Sequence, residues 1–265
     1  MIKKMIITGD THGNVKRRLA AIKYSGIIDN YNPNEIGVII LGDVGLNYWL
    51  NTTDIKNKKE ASEYGYYIYC VRGNHEERPE ELESIEVILD QNIKGLVWYE
   101  PQFPLIRYLM DGGTYEIEGM KTLVIGGGYS VDKFYRLETG NKWFPKEQLS
   151  EEEQNNITKK LQETTYALIL AHTCPYSWRP TDLFLTCINQ STVDSSMELW
   201  LENIKENFDN AIYLFGHYHA DRLVRPKVEM YYHDFNFLND IKERWESNKQ
   251  PDYYYEKDPK YYMGR

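Results

Sequence analysis

Five times along this chain, a short and almost wholly apolar run stops at a polar cluster built from glycine, histidine, an acid or an amide. Residues 3–8 lead into Gly9-Asp10-Thr11-His12-Gly13, residues 36–41 into Gly42-Asp43, and residues 66–71 into Arg72-Gly73-Asn74-His75-Glu76. Residues 166–171 lead into His172, and residues 211–215 into Gly216-His217-Tyr218-His219. Continuous apolar runs of this length mark strands covered on both faces. Polar clusters just past the C-terminal ends of such strands lie where α/β sheets gather ligand sites, because the loops converge there.

The stretches between carry complementary signals. Val15, Leu19, Ile22 and Ile27-Ile28 give residues 14–28 a roughly helical spacing. Pro79, followed by glutamates, predicts a helix over 79–89. From 96 to 126, runs at 96–99, 105–110, 114–117 and 122–125 are separated by turn residues, which predicts antiparallel hairpins. Ser150 and the glutamates after it open a capped surface helix to 163, residues 193–207 form another, and 222–237 a last hairpin. No repeat or linker divides the chain, so one domain is expected over 1–240, with a polar, tyrosine-rich tail over 241–265.

A chain of 265 residues can bury a sizeable core. Its formal net charge of −9 repels nucleic acid and acidic membranes overall, although a local basic groove is still compatible with it. No apolar run reaches the roughly 18 residues of a membrane span, and the apolar stretch at the start is too short for a signal peptide. The three cysteines form no Cys-x-x-Cys pair and are odd in number, against a disulfide framework or thiolate zinc site. A cytoplasmic protein with no membrane partner is expected.

In extended backbone, residues i and i+2 point the same way, so Asp10 and His12 can face one ion together, as can His217 and His219. Five of the six histidines sit in the blocks, whereas His233 lies outside them and reads as structural. Imidazole and carboxylate ligands suit manganese, iron, zinc or cobalt better than magnesium or calcium alone. Asp43 is the acid placed to bridge two ions. Any one fragment is an ordinary turn or a hydrogen-bonded histidine; five in order after five strands form a joint signal.

These blocks resemble the calcineurin-like metallophosphoesterase superfamily, whose pattern is Asp-x-His, Gly-Asp, Gly-Asn-His-Asp/Glu, His and Gly-His-x-His. The resemblance implies an α/β fold, a four-layer α/β/β/α sandwich with two mixed β-sheets. It also implies two divalent transition-metal ions, manganese first, with iron, zinc, cobalt or nickel as alternatives. Asp10, His12, Asp43 and His219 would hold one ion, and Asp43, Asn74, His172 and His217 the other. A bridging hydroxide would attack phosphorus, and His75 would protonate the leaving group. Gly126-Gly127-Gly128-Tyr129-Ser130-Val131-Asp132-Lys133, Arg136, Trp143-Phe144-Pro145 and Glu151–Glu153 further resemble small bacterial members. One position departs: many relatives carry Gly-Asp-x-x-Asp, whose second acid orients the catalytic histidine, and here Leu46 replaces it. Asn47 and Asp54 are the nearby substitutes.

On the substrate side, Arg136 could clamp a phosphate oxygen or form a surface ion pair. Trp178 and Arg179 could line the cleft and stack a ring, or serve packing. The expected partner is a phosphorylated small molecule or nucleotide, hydrolysed as a monoester or diester. A nuclease or nucleotide phosphodiesterase is the alternative within the class, and needs a basic groove or stacking platform. A non-catalytic scaffold ranks last, because all seven ligands and His75 are retained.

Overall fold

The computed structural model describes residues 1–247. Among the described residues, thirteen strands form two mixed sheets. The first sheet has seven strands, in the order β13-β1-β2-β3-β6-β5-β4. These are β1 (Lys4–Thr8), β2 (Ile36–Ile40), β3 (Tyr67–Cys70), β4 (Glu86–Asp90), β5 (Gly95–Tyr99), β6 (Ile106–Leu109) and β13 (Phe235–Phe237). The second has six, in the order β11-β12-β10-β9-β8-β7. Its members are β7 (Thr114–Ile117), β8 (Met120–Ile125), β9 (Leu168–Ala171), β10 (Ile212–Phe215), β11 (Arg222–Arg225) and β12 (Val228–Met230).

Alternation along the central strands explains why their sequences are apolar at every position. Ile7, Ile39, Tyr69, Leu168, Leu170 and Leu214 point between the sheets, into one core. Their neighbours Ile6, Val38, Ile40 and Ile68 point outward onto α1 (Val15–Tyr24) and α2 (Thr52–Ser62), through Val15, Leu19, Ile22 and Ala61. Ile169, Ala171, Tyr213 and Phe215 point the other way, onto α4 (Glu151–Glu163) and α5 (Ser196–Ile204), through Ile157, Leu161, Met197 and Leu201. Helix, sheet, sheet and helix thus make four layers.

Residues 79–89 are not a helix: after one turn at Pro79–Glu81 the chain becomes β4. Antiparallel pairing with β5 sets Ile88 against Val97 and Leu89 against Leu96, so cross-strand contacts override the local helix signal. The hairpins between 96 and 126 form, but β6 and β8 also pair in parallel with β3 and β9. The last hairpin closes as β11–β12, while β13 leaves it to pair with β1 in the other sheet. A short helix, α3 (Lys133–Thr139), follows the glycine-rich stretch at 126–128. Helix α6 (Leu238–Glu246) crosses residue 240 and lays Leu238, Ile241 and Trp245 in the inter-sheet core. The rest of the expected tail, 248–265, lies outside the described residues. Among those described, no helix is long and apolar enough to cross a membrane.

Candidate metal centre and cleft

β1, β2 and β3 run parallel and adjacent, as do β9 and β10, so the five polar blocks leave their strands side by side. Glycine makes this approach possible. Gly42 has φ of +93°, and a Cβ there would overlap the His172 ring; a Cβ on Gly73 would overlap the Asp43 carboxylate. His12, Asp43, His217 and His219 themselves have φ of 44°, 44°, 71° and 53°. Side chains rarely adopt that left-handed region, and strain of this kind persists where the surroundings fix it, commonly at functional sites.

Ligand-type atoms of Asp10, His12, Asp43 and His219 lie within 4.8 Å of one another. His219 Nε2 is 3.3 Å from Asp10 Oδ2 and 2.8 Å from His12 Nε2. His12 Nδ1 is 3.9 Å from Asp43 Oδ2. Two imidazoles and two carboxylates aimed at one point suit a divalent transition metal.

A second group adjoins the first through Asp43. His172 Nε2 is 3.6 Å from Asp43 Oδ1 and 2.8 Å from Asn74 Oδ1. The other ring nitrogen, Nδ1, lies 2.9 Å from the Leu41 carbonyl, which can accept but not donate, so Nδ1 carries the proton. Asn74 Nδ2 donates to Ser130 Oγ at 2.9 Å, which turns the amide oxygen toward His172. His172 Nε2 and the Asn74 oxygen thus face each other at the distance at which two donor atoms can share a cation. The His217 ring packs edge-on against His172, with centroids 4.9 Å apart, and its backbone N–H donates to Asp10 at 3.1 Å.

Burial alone would raise the Asp43 pKa, but the imidazoles of His172, His75 and His12 outweigh it and hold it well below the carboxylate range. Asp10 is buried too, and its contact with His219 brings it below its ordinary value. Burial and the nearby His172 push His217 down to about 3. Two ionised carboxylates and a neutral imidazole are the protonation states cation binding requires.

His75 donates its backbone N–H to Asp43 Oδ1 at 2.8 Å, so the third block rests on the acid of the second. Its Nε2 lies 3.4 Å from Arg136 Nη2 and 4.0 Å from Asp132 Oδ1. Arg136 Nε donates to Asp132 Oδ2 at 2.7 Å, which leaves Oδ1 buried without a hydrogen-bond partner among the described residues. Leu46 is fully buried in the outer core. Asn47 accepts from Tyr108 and Asp54 from the Leu50 amide, so both are engaged away from His75. Asp132 and Arg136 face it instead. Glu76, whose pKa burial and Asp43 raise to about 7, accepts from the amides of Gly73 and Gly45 and so ties the second block to the third.

Outward from this centre opens a cleft of about 640 Å³. Asp43, Asn74, His75, His217 and His219 line its inner end, and Arg179 with seven residues of the segment 182–193 its outer part. Trp178 does not line it. The indole packs on Phe208 and Tyr213 in the outer core, with ring centroids 6.4 and 5.3 Å away, so the ring-stacking role expected for it has no surface to act from. Arg136 stands beside His75, held additionally by Tyr48 and the Lys142 carbonyl. Sequence reasoning gave no role to Ser130 and Glu147, which orient Asn74; their separation from it hides the connection.

A family model described as calcineurin-like phosphoesterase matches residues 3–221. Among solved structures, TT1561 of Thermus thermophilus is similar at 13% identity and a TM-score of 0.45, over 89% of this chain and 98% of that one. No curated protein matches the chain at a comparable significance.

Proposed function

The chain belongs to the calcineurin-like phosphoesterase family, and from that premise we propose that it is a metal-dependent phosphoester hydrolase with two adjoining cation sites. Asp10, His12, Asp43 and His219 would hold one cation, and Asp43, Asn74, His172 and His217 the other. The observation that carries this reading is the convergence within 4.8 Å of ligand atoms from residues as distant as Asp10 and His219. When bound, a pair of divalent transition-metal ions, manganese first among them, polarises phosphoryl oxygens and makes a water acidic near neutrality.

The protein's own groups do the rest. Asp43 joins the two donor sets, and the Leu41 carbonyl fixes which nitrogen of His172 is free to ligate. His75 hands a proton to the departing alcohol oxygen, which would otherwise leave as a costly alkoxide. Asp132 and Arg136 position the His75 ring in place of the acid that Leu46 replaces.

The test combines elemental analysis of manganese-loaded, desalted protein with hydrolysis of 4-nitrophenyl phosphate and bis(4-nitrophenyl) phosphate in manganese, nickel, cobalt and magnesium. About two retained ions per chain and turnover of at least one ester are expected. The ratio of the two rates reads the preference for monoester or diester. Protein that keeps no ion, or keeps ions and hydrolyses neither ester, overturns the reading.

A further inference from the structure

The cleft is far larger than a phosphoryl group, and its outer wall differs in chemistry from its inner end. A volume of about 640 Å³ is that of a site for a whole small molecule. Leu183, Phe184, Leu185, Ile188 and Val193, all from one short segment, line it. Leu185 is 60% exposed and Leu183 36%, so apolar surface faces the opening. The wall is continuous with the metal-ligand end: Tyr218 follows His217 and stacks on Phe184, with ring planes 17° apart and centroids 6.3 Å apart.

This wall is pre-formed. Asp182 accepts two hydrogen bonds from Arg222, at 2.9 and 2.7 Å, which pins the segment to β11. The Arg179 guanidinium lies over the Tyr176 and Phe184 rings and donates to Ser195 Oγ at 3.0 Å. Behind Phe184, the Tyr218 hydroxyl lies 3.2 Å from Thr173 Oγ1, which in turn donates to Glu198 at 2.9 Å.

The charges select further. Beyond the ligand end, the lining carries Asp132, Asp182, Glu198 and Asp221 against Arg179 and Arg222, and both arginines are engaged in the contacts just given. Among the described residues, such a cleft offers no cationic track to a polyanionic alcohol portion, as in an oligonucleotide or polyphosphate. An uncharged, apolar portion meets a surface already shaped for it.

We propose that residues 182–193 with Tyr218 form a subsite for the alcohol portion of the ester, and that this portion is an uncharged aryl or aliphatic group. The proposal rests on the phosphoesterase reading and adds to it a substrate class, lipophilic phosphoesters. Leaving-group chemistry is kept constant by comparing ethyl with octyl phosphate, and phenyl with 2-naphthyl phosphate, as monoesters and as their methyl diesters. Octyl over ethyl by tenfold or more in kcat/KM, mostly through KM, is expected if the natural group is aliphatic. 2-Naphthyl over phenyl by threefold or more, with little octyl advantage, points to an aryl group. In Leu185→Ser and Phe184→Ser the larger ratio falls toward one; Leu185 is exposed enough that its variant keeps the fold.

Calorimetric binding of octylphosphonate, 2-naphthylphosphonate and ethylphosphonate to the manganese-loaded full chain reads the same subsite without turnover. At least one of the two larger phosphonates should bind tenfold tighter than ethylphosphonate. Tighter binding without hydrolysis of any ester keeps the subsite and removes the hydrolase reading. Ratios near one in both measurements, or ratios that the two variants leave unchanged, overturn the subsite while the hydrolase reading stands.

Discussion

The two ends of the cleft are built by different means. At the inner end, Thr11 and His12 donate backbone N–H groups to the Asp43 carbonyl, Gly13 donates to Val44, and four proposed ligands hold left-handed backbone. The outer wall instead follows single helical turns at Tyr176–Trp178, Thr181–Leu183 and Gln190–Thr192, held by the Asp182–Arg222 pair and by Arg179. On the proposed reading, main chain fixes the place where phosphorus would react, and side chains on a loop would fix what the phosphorus is attached to. A scaffold that is rigid at one end and replaceable at the other can change specificity without disturbing chemistry.

Substitutions at the inner end should therefore cost far more than those on the wall. His75→Asn should lower kcat on phenyl phosphate by about 10²–10⁴-fold, with less loss on 4-nitrophenyl phosphate, whose oxygen leaves without a proton. Metal content should stay at the wild-type value. An equal loss on both esters removes the acid role and leaves His75 a positional residue.

Gly42→Ala comes next. It places a methyl group against the His172 ring at a φ of +93° and costs about 1–3 kcal/mol in strain. Because His172 cannot keep its place, metal affinity should fall about 10–100-fold. Leu185→Ser, on the wall, should shift stability by no more than about 0.5 kcal/mol. Thermal melts and metal titrations of the two variants side by side decide it; comparable losses would erase the contrast between the ends.

Asp132→Asn probes the inner end from outside the ligand set. Its Oδ1, without a hydrogen-bond partner among the described residues, lies 4.0 Å from His75 Nε2. Turnover of phenyl phosphate should drop about tenfold with both ions retained, as for the outer partners of metal-site residues. The drop on 4-nitrophenyl phosphate should be smaller, a difference that simple loosening of α3 would not produce.

Legibility in the sequence follows the same division. The residues proposed as ligands at the inner end were legible because strand, turn and side chain are local to each other: Asp10 follows β1, Asp43 follows β2, and the glycine between states how close the backbone must come. The α/β class followed from apolar runs alternating with amphipathic stretches, whereas the four layers followed only from the resemblance to the family. Helix α2 gave no such signal, since it buries Asp54, Lys58 and Ala61 and holds Lys58 by an ion pair with Glu100. Segment 79–89 looked helical because Pro79 and the glutamates after it mimic a helix start, a signal that covers only the turn at Pro79–Glu81 before the chain pairs with β5. That Asp132 faces His75 was not legible, because the two are far apart along the chain and only folding brings them within 4.0 Å. The segment 182–193 carried no motif in the sequence.

The smallest effect tests what supports the inner end from behind. Arg78, just past the third block, donates to Glu153 at the start of α4 at 2.6 Å. Burial raises the Glu153 pKa, but the hydrogen bond from Arg78 outweighs it and brings it to about 2. Unfolded, the group titrates near about 4.3. The carboxylate therefore contributes its full stability above that value and loses it as pH falls toward about 2. Glu153 is a third exposed, so the contribution is about 1 kcal/mol or less. In denaturant melts of metal-free protein, Glu153→Gln should be less stable than wild type at pH 6, with the gap narrowing between about pH 4.3 and pH 2. The octyl-to-ethyl ratio should not move, because the pair lies outside the wall. A gap that stays constant with pH would mean that the ionised carboxylate contributes nothing and that shape alone holds the third block to α4.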